Sequence, residues 1–197
     1  MNNNVEIEAK VLLTKKQYLK VYDSFRADKG IEIINQTNFY IDSKDRTLRE
    51  NEIALRIREK KDEYILTVKT PMSEGLLEKN QTLTSAEALD MIEFNKFPVG
   101  EVSAFLELLD VDLSALVVLA KMSTKRTTLK KDDVRERISL DVNTYGNKVD
   151  YELEVDKTAM ALAEKRIAEI LNPLNIDYTI NKTSKQTRAL SEATAAE

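Results

Sequence analysis

From Val5 the apolar residues Val5, Ile7, Ala9 and Val11 alternate with Glu6, Glu8 and Lys10, the strict period of two that predicts a half-buried strand. Thr14 can then cap a helix running to about Ala27, with Tyr18, Leu19, Tyr22 and Phe25 along its apolar side. Further strands are predicted over Ile33 to Asp42, Ile53 to Lys60, Glu63 to Lys69 and Leu76 to Leu83. Asp45 to Glu50 reads as a polar turn, Lys60-Lys61-Asp62 as a hairpin turn, and Pro71 ends that hairpin because it cannot donate to a ladder. Ser85 opens a helical, acidic stretch, interrupted at Pro98 and Gly100, that reaches Leu116. Strands return over Val118 to Lys130, Val134 to Asp141 and, after a turn at Asn143, Gly146 and Asn147, Lys148 to Val155. Asp156 caps a helix to Leu171 that Asn172-Pro173 stops, and a helix-like tail from Ser184 frays at its end. The pattern is that of one α+β domain over residues 1–197 with about eight antiparallel strands.

The polar faces of these strands carry the chemistry. Glu6, Glu8 and Lys10 share a face about 13 Å long at about 3.3 Å per residue. Arg56 and Arg58 face together, Lys69 shares a face with Thr67, and Glu152 and Glu154 oppose Tyr151, Leu153 and Val155. Arg135, Arg137, Ser139 and Asp141 oppose Val134, Ile138 and Leu140. A sheet with one face in water also alternates in this way. Here, however, the charges are sorted by strand, Glu-x-Glu on two and Arg-x-Arg on two others, and like charges on one face repel. Strands curled with this face inward would place carboxylates to hold a divalent metal and cations to hold a polyanion.

Composition narrows the chemistry further. The 197 residues include no Cys and no His, which excludes thiolate nucleophiles, disulfides, imidazole bases and His-ligated metals. Gly30, Gly75, Gly100 and Gly146 lie too far apart for a phosphate-binding glycine loop. A net charge of -4 argues mildly against general nucleic-acid binding. The chain opens Met1-Asn2-Asn3-Asn4 without a secretion signal, and its longest nearly apolar stretch, Leu113 to Ala120, falls far short of a membrane span. A cytoplasmic location is the expectation.

The ordered set Val5-Glu6-Ile7-Glu8-Ala9-Lys10, Tyr40-x-Asp42, Leu55-Arg56-Ile57-Arg58, Leu66-Thr67-Val68-Lys69, Lys125-Arg126, Leu140-Asp141, Glu152-Leu153-Glu154 and Ser184-Lys185 resembles the CYTH family, the triphosphate tunnel metalloenzymes. The likeness spans about residues 3–188 and is closest to bacterial stand-alone members. It implies an eight-stranded antiparallel β-barrel forming a tunnel, with helices packed outside and the charged faces pointing into one central cavity. Members include inorganic and thiamine triphosphatases, a class of adenylate cyclases and fungal RNA triphosphatases. By this resemblance Glu6, Glu8, Glu152 and Glu154, with Asp141 as a further acid, would ligate Mg²⁺ or Mn²⁺. Lys10, Arg56, Arg58, Lys69, Arg126 and Lys185 would contact triphosphate, and Arg137 has the right parity to join them. Many members have Lys-x-Lys where this chain has Thr67-x-Lys69. Of the neighbours Lys125 and Arg126, Arg126 is taken as the inward one. Glu78 has a parity suited to either the site or the surface, and Tyr40 reads as core or as a substrate-side hydroxyl.

The resulting expectation is divalent-metal-dependent hydrolysis of a linear triphosphate, inorganic or the tail of thiamine triphosphate or a nucleotide. With no imidazole, Glu6 or Glu8 is the available proton acceptor, alongside Lys10 in the catalytic set. The rivals are an adenylate cyclase on the same tunnel and a non-catalytic polyphosphate- or nucleotide-binding module. The expected partner is a triphosphate-containing small molecule, with no membrane and no specific nucleic acid, and a homodimer is left open.

Overall fold

The computed structural model describes residues 4–26, 31–72, 76–129 and 137–195, with the side chains of 4–6 and 195 outside that description. Among the described residues nine strands, β1 (Asn4–Glu6), β2 (Glu8–Leu13), β3 (Ile31–Ser43), β4 (Ala54–Lys60), β5 (Glu63–Pro71), β6 (Leu76–Leu83), β7 (Leu116–Leu129), β8 (Arg137–Tyr145) and β9 (Lys148–Asp156), hydrogen-bond in the order β1-β6-β5-β4-β3-β7-β8-β9-β2. The helices are α1 (Lys15–Arg26), α2 (Thr47–Glu50), α3 (Ser85–Phe94), α4 (Glu101–Glu107), α5 (Met160–Leu171) and α6 (Lys185–Ala195). The expected α+β class and eight antiparallel strands are present, the first strand divided at Ile7. Its two pieces have different neighbours, β6 for β1 and β9 for β2, so the strand order is linear with these pieces at its ends. Among the described residues, no helix is long and apolar enough to cross a membrane.

Two compact units are distinguishable: Met1–Val5, Gln36–Ser123 and Ser184–Glu197 in the first, Glu6–Asn35 and Thr124–Thr183 in the second. In the first, β4 and β5 join at a two-residue turn, where Lys61 and Asp62 both adopt positive φ as a twisted hairpin requires. Alternate residues Leu55, Ile57, Leu66 and Val68 are buried with Ala88 and Met91 of α3 and Val102 and Leu106 of α4. Thr84 caps α3 in a reciprocal box with Glu87.

In the second unit β9 pairs with both β8 and β2. Ala9, Val11, Ile138, Leu140, Leu153 and Val155 form one apolar face, packed with Tyr18, Val21 and Phe25 of α1 and Ala163, Ile167 and Leu171 of α5. Burying one face of this ladder leaves the alternating polar residues together on the other.

Several local expectations change. Leu19 stays 48% exposed, and Val21 takes the core position instead, three residues beyond Tyr18 on the helical period. The segment read as a polar turn contains α2, because the buried Asp42 carboxylate accepts hydrogen bonds from the backbone N–H groups of Ser43, Leu48 and Arg49. Pro71 stays in β5 opposite Leu76, although the β4–β5 pairing does end at Lys69. Asp156 closes β9 rather than capping α5, whose N-cap is Ala159. Ala27, Lys130, Val134 and Arg135, named in the expected elements, lie outside the described residues.

Candidate active site

On the polar face of the second unit, β9 presents Asp150, Glu152, Glu154 and Asp156 in one row. The register sets Lys10 of β2 opposite Glu154, Glu8 opposite Asp156, and Asp141 of β8 opposite Glu152. Arg126 of β7 donates from Nε and Nη2 to the two oxygens of Asp141, at 2.9 and 2.7 Å, and its Nη2 also bonds Glu154. These side chains are nearly dry, at 12% exposure for Arg126, 0% for Asp141 and 8% for Glu154. Burial alone would lower the Arg126 pKa, but Glu154 and Asp141 outweigh it and hold the guanidinium's pKa well above its ordinary value. Lys10 donates to Glu8 Oε1 at 2.7 Å. Burial opposes its charge as well, and the carboxylates of Glu8, Glu154 and Glu152 together raise its pKa.

The ends of the β9 row are tied up. Asn143 Nδ2 and the Tyr145 hydroxyl both donate to Asp150 at 2.8 Å, while Arg137, half exposed, pairs with Asp156. Glu8, Glu152, Glu154 and Asp141 therefore stand on three neighbouring strands with their side chains on one face. The Glu6 side chain lies outside the described residues. Carboxylate oxygens are hard donors of the kind that Mg²⁺ and Mn²⁺ take. In this conformation no three acidic side chains among the described residues converge on a metal position: Asp141 and Glu154 are engaged by Arg126, Glu8 by Lys10, and Glu152 accepts from Asn143 at 3.4 Å. The donor chemistry fits a divalent cation once those ion pairs open.

The first unit carries a group of cations. Tyr40 of β3 is opposite Arg56 of β4, and Asn38 is opposite Arg58, whose Nε donates to Asn38 Oδ1 at 3.2 Å. Burial pushes the Tyr40 phenol up against the pull of Arg56, Lys185, Arg58 and Arg188, so these four cations act on one hydroxyl. Tyr40 itself is core, its hydroxyl on Met122 Sδ at 3.9 Å. Arg56 Nε is buried without a hydrogen-bond partner among the described residues. Next to it, Lys69 pairs with Glu78 at 3.1 Å, Asn80 donates to Glu78 at 2.8 Å, and Thr67 donates to Asn80 at 2.6 Å. Thr67 thus joins a hydrogen-bonded chain that runs through Asn80 to the Glu78 carboxylate.

Arg188 is the cation that strand parity overlooks. It lies three residues after Lys185 on α6, on the same helical face, a spacing readable only after the tail is recognised as a true helix. Asn38, Asn80 and Asp150 were also missed, since nothing in a single strand separates a satisfied polar residue from a solvated one. Lys125 is exposed, whereas its neighbour Arg126 is the residue paired with carboxylates.

The sequence pattern of the CYTH domain matches residues 4–188. The chain belongs to the CYTH domain family. It is 31% identical over 176 residues to Bacillus subtilis YjbK, a protein whose name carries a provisional triphosphatase assignment, covering 89% of this chain and 90% of that one. A Bacillus halodurans structure described as a provisional adenylate cyclase is 32% identical with a TM-score of 0.85, over 95% of this chain and 98% of that one. HpAC1 from Hippeastrum is described as an adenylyl cyclase candidate with a dominant triphosphatase activity. It is 20% identical and superposes with a TM-score of 0.77, over 94% of this CYTH chain and 95% of its own, and supports the fold.

Proposed function

We propose that this CYTH protein is an enzyme that hydrolyses a linear triphosphate, inorganic or the tail of thiamine triphosphate or a nucleotide, in a divalent-metal-dependent reaction. The observation that carries the reading is the buried Nε of Arg56, which has no hydrogen-bond partner among the described residues, within the Arg56, Arg58, Lys185 and Arg188 cluster. Buried donors on a cation cluster are costly unless an anion completes them. The provisional triphosphatase assignment of YjbK, 31% identical, supports the same substrate class.

In this reading Glu6, Glu8, Glu152, Glu154 and Asp141 are the ligands for Mg²⁺ or Mn²⁺. Such an ion, when bound, neutralises phosphate charge and makes a water more acidic. Arg56, Arg58, Lys69, Lys185 and Arg188 bind and orient phosphate oxygens, with the guanidinium groups able to bind them in bidentate fashion. Lys10 and Arg126 supply positive charge beside the carboxylates, and Glu6 or Glu8 accepts the proton of the attacking water. Arg137, half exposed and paired with Asp156, is assigned to the outer edge of the substrate-binding set. Phosphoryl transfer needs mainly positioning and charge neutralisation, which these groups provide without a histidine or cysteine. The protein acts in the cytoplasm on a small-molecule partner.

A second reading, cyclisation of ATP, has the name of the 32%-identical Bacillus halodurans protein in its favour. One experiment separates them: incubate the protein with tripolyphosphate, thiamine triphosphate and ATP, with and without Mn²⁺, and identify the products. Orthophosphate release that requires the metal is expected. Cyclic AMP with pyrophosphate as the main products would establish the cyclase instead, and no turnover of any of the three would leave a binding protein.

A further inference from the structure

We propose that Arg126 is an internal stand-in for the divalent cation: its guanidinium holds Asp141 and Glu154 in the cation-free protein and is displaced from them when the cation binds. The inference rests on the reading that these carboxylates are cation ligands. Arg126 meets both oxygens of Asp141, at 2.9 and 2.7 Å, and also reaches Glu154, so one guanidinium bridges acids on two strands. A bidentate pair occupies the lone pairs a metal would need, and the two cannot share them in a dry site. Asp141 also faces Glu152 across the ladder, with both fully buried. Facing carboxylates repel, so positive charge nearby favours this arrangement, and Arg126 meets one member of the pair, Asp141. Release by the incoming ion would turn the guanidinium from carboxylates to phosphate oxygens, linking cation arrival to anion binding.

The test uses cation binding in the absence of any triphosphate. Calorimetric titration with MnCl₂ or MgCl₂ should show Arg126→Met binding the cation about tenfold more tightly than the wild type, because a competing charge is gone. Its cation-free melting temperature should fall, and the cation should raise that temperature more than it does in the wild type. Equal or weaker cation affinity in Arg126→Met would overturn the proposal, as would a loss of stability identical with and without cation. Should that variant not fold, the wild type decides by nitrogen-15 NMR of the Arg126 Nε–H, a buried signal that should shift on adding Mg²⁺ alone. Cation binding with that signal unmoved removes the stand-in but keeps the cation site. No cation binding by the wild type removes both.

Discussion

Asp141 of β8 and Glu152 of β9 stand directly opposite each other in register, and neither side chain is exposed to solvent. Like charges facing across a ladder destabilise a sheet, so selection for stability alone would not place them there. Substituting one of them should therefore separate folding from function. Glu152→Gln should leave the metal-free melting temperature unchanged or raise it by about 2–4 °C, the size expected for about 1 kcal/mol in a chain of this length. The same variant should lose the temperature rise on adding Mn²⁺, and triphosphate hydrolysis should fall by more than the roughly 10–100-fold that loss of an outer-shell group costs. Paired melting curves with and without Mn²⁺ check this, and a large metal-free destabilisation would show that Glu152 serves the fold.

Asp42 makes the opposite case. Its carboxylate is buried and satisfies three backbone N–H groups around the start of α2. Asp42→Ala leaves those donors unpaired and should destabilise the protein by roughly 2–3 kcal/mol, as read by urea denaturation. Tripolyphosphate affinity of the folded fraction should be unchanged, since the carboxylate faces backbone rather than the cation cluster.

These two acids show how far the sequence could be read. Period-two alternation located the strands and sorted Glu8, Lys10, Arg56, Arg58, Asp141, Glu152 and Glu154 onto polar faces, because burying one face fixes the other. The break at Ile7 was hidden, since alternation is identical on both sides of it while the hydrogen-bonding neighbours change. Residues 45–50 looked like a turn because the group that caps α2 belongs to Asp42, outside that segment. Asp156 looked like a helix cap for the same reason: its partner Arg137 is 19 positions away in sequence and adjacent only in register. Parity assigns a face, but the choice between site and surface depends on partners that only the fold brings together.

Glu78 gives a pH signature. Burial alone would raise its carboxyl, but the Lys69 ammonium, the Asn80 amide and the Arg56 guanidinium outweigh it and hold the pKa below the ordinary glutamate range. A depressed folded pKa contributes stability above the unfolded value of about 4.3, and that stability is lost as pH falls through the lower folded value. Wild type should therefore exceed Glu78→Gln in stability by about 1 kcal/mol at pH 7, within the range for a hydrogen bond to a charged group. The gap should close below about pH 4. Urea midpoints measured from pH 7 to pH 3 check this, and a gap constant across that range would mean that the Lys69 and Asn80 contacts do not hold Glu78 ionised.

Substrate length follows from the charge of the first unit. Arg56, Arg58, Lys69, Lys185 and Arg188 bring five cationic side chains to the first unit, with Glu78 paired to Lys69 among them. A linear triphosphate brings roughly four to five negative charges near neutral pH, whereas a diphosphate or monoester brings fewer to the same cations. Tripolyphosphate should therefore be hydrolysed much faster than pyrophosphate or a phosphate monoester. Arg56→Ala removes the guanidinium whose Nε lacks a partner among the described residues, so it should weaken triphosphate binding without exposing an unsatisfied protein acceptor. A loss of about 1.5–3 kcal/mol, the range for a charge-assisted hydrogen bond, corresponds to roughly 10–150-fold in affinity. The loss should be greater for triphosphate than for pyrophosphate, narrowing the discrimination between them. Parallel titrations of wild type and Arg56→Ala with both anions check the point, and equal hydrolysis of pyrophosphate and tripolyphosphate by the wild type would contradict a site built for three phosphates.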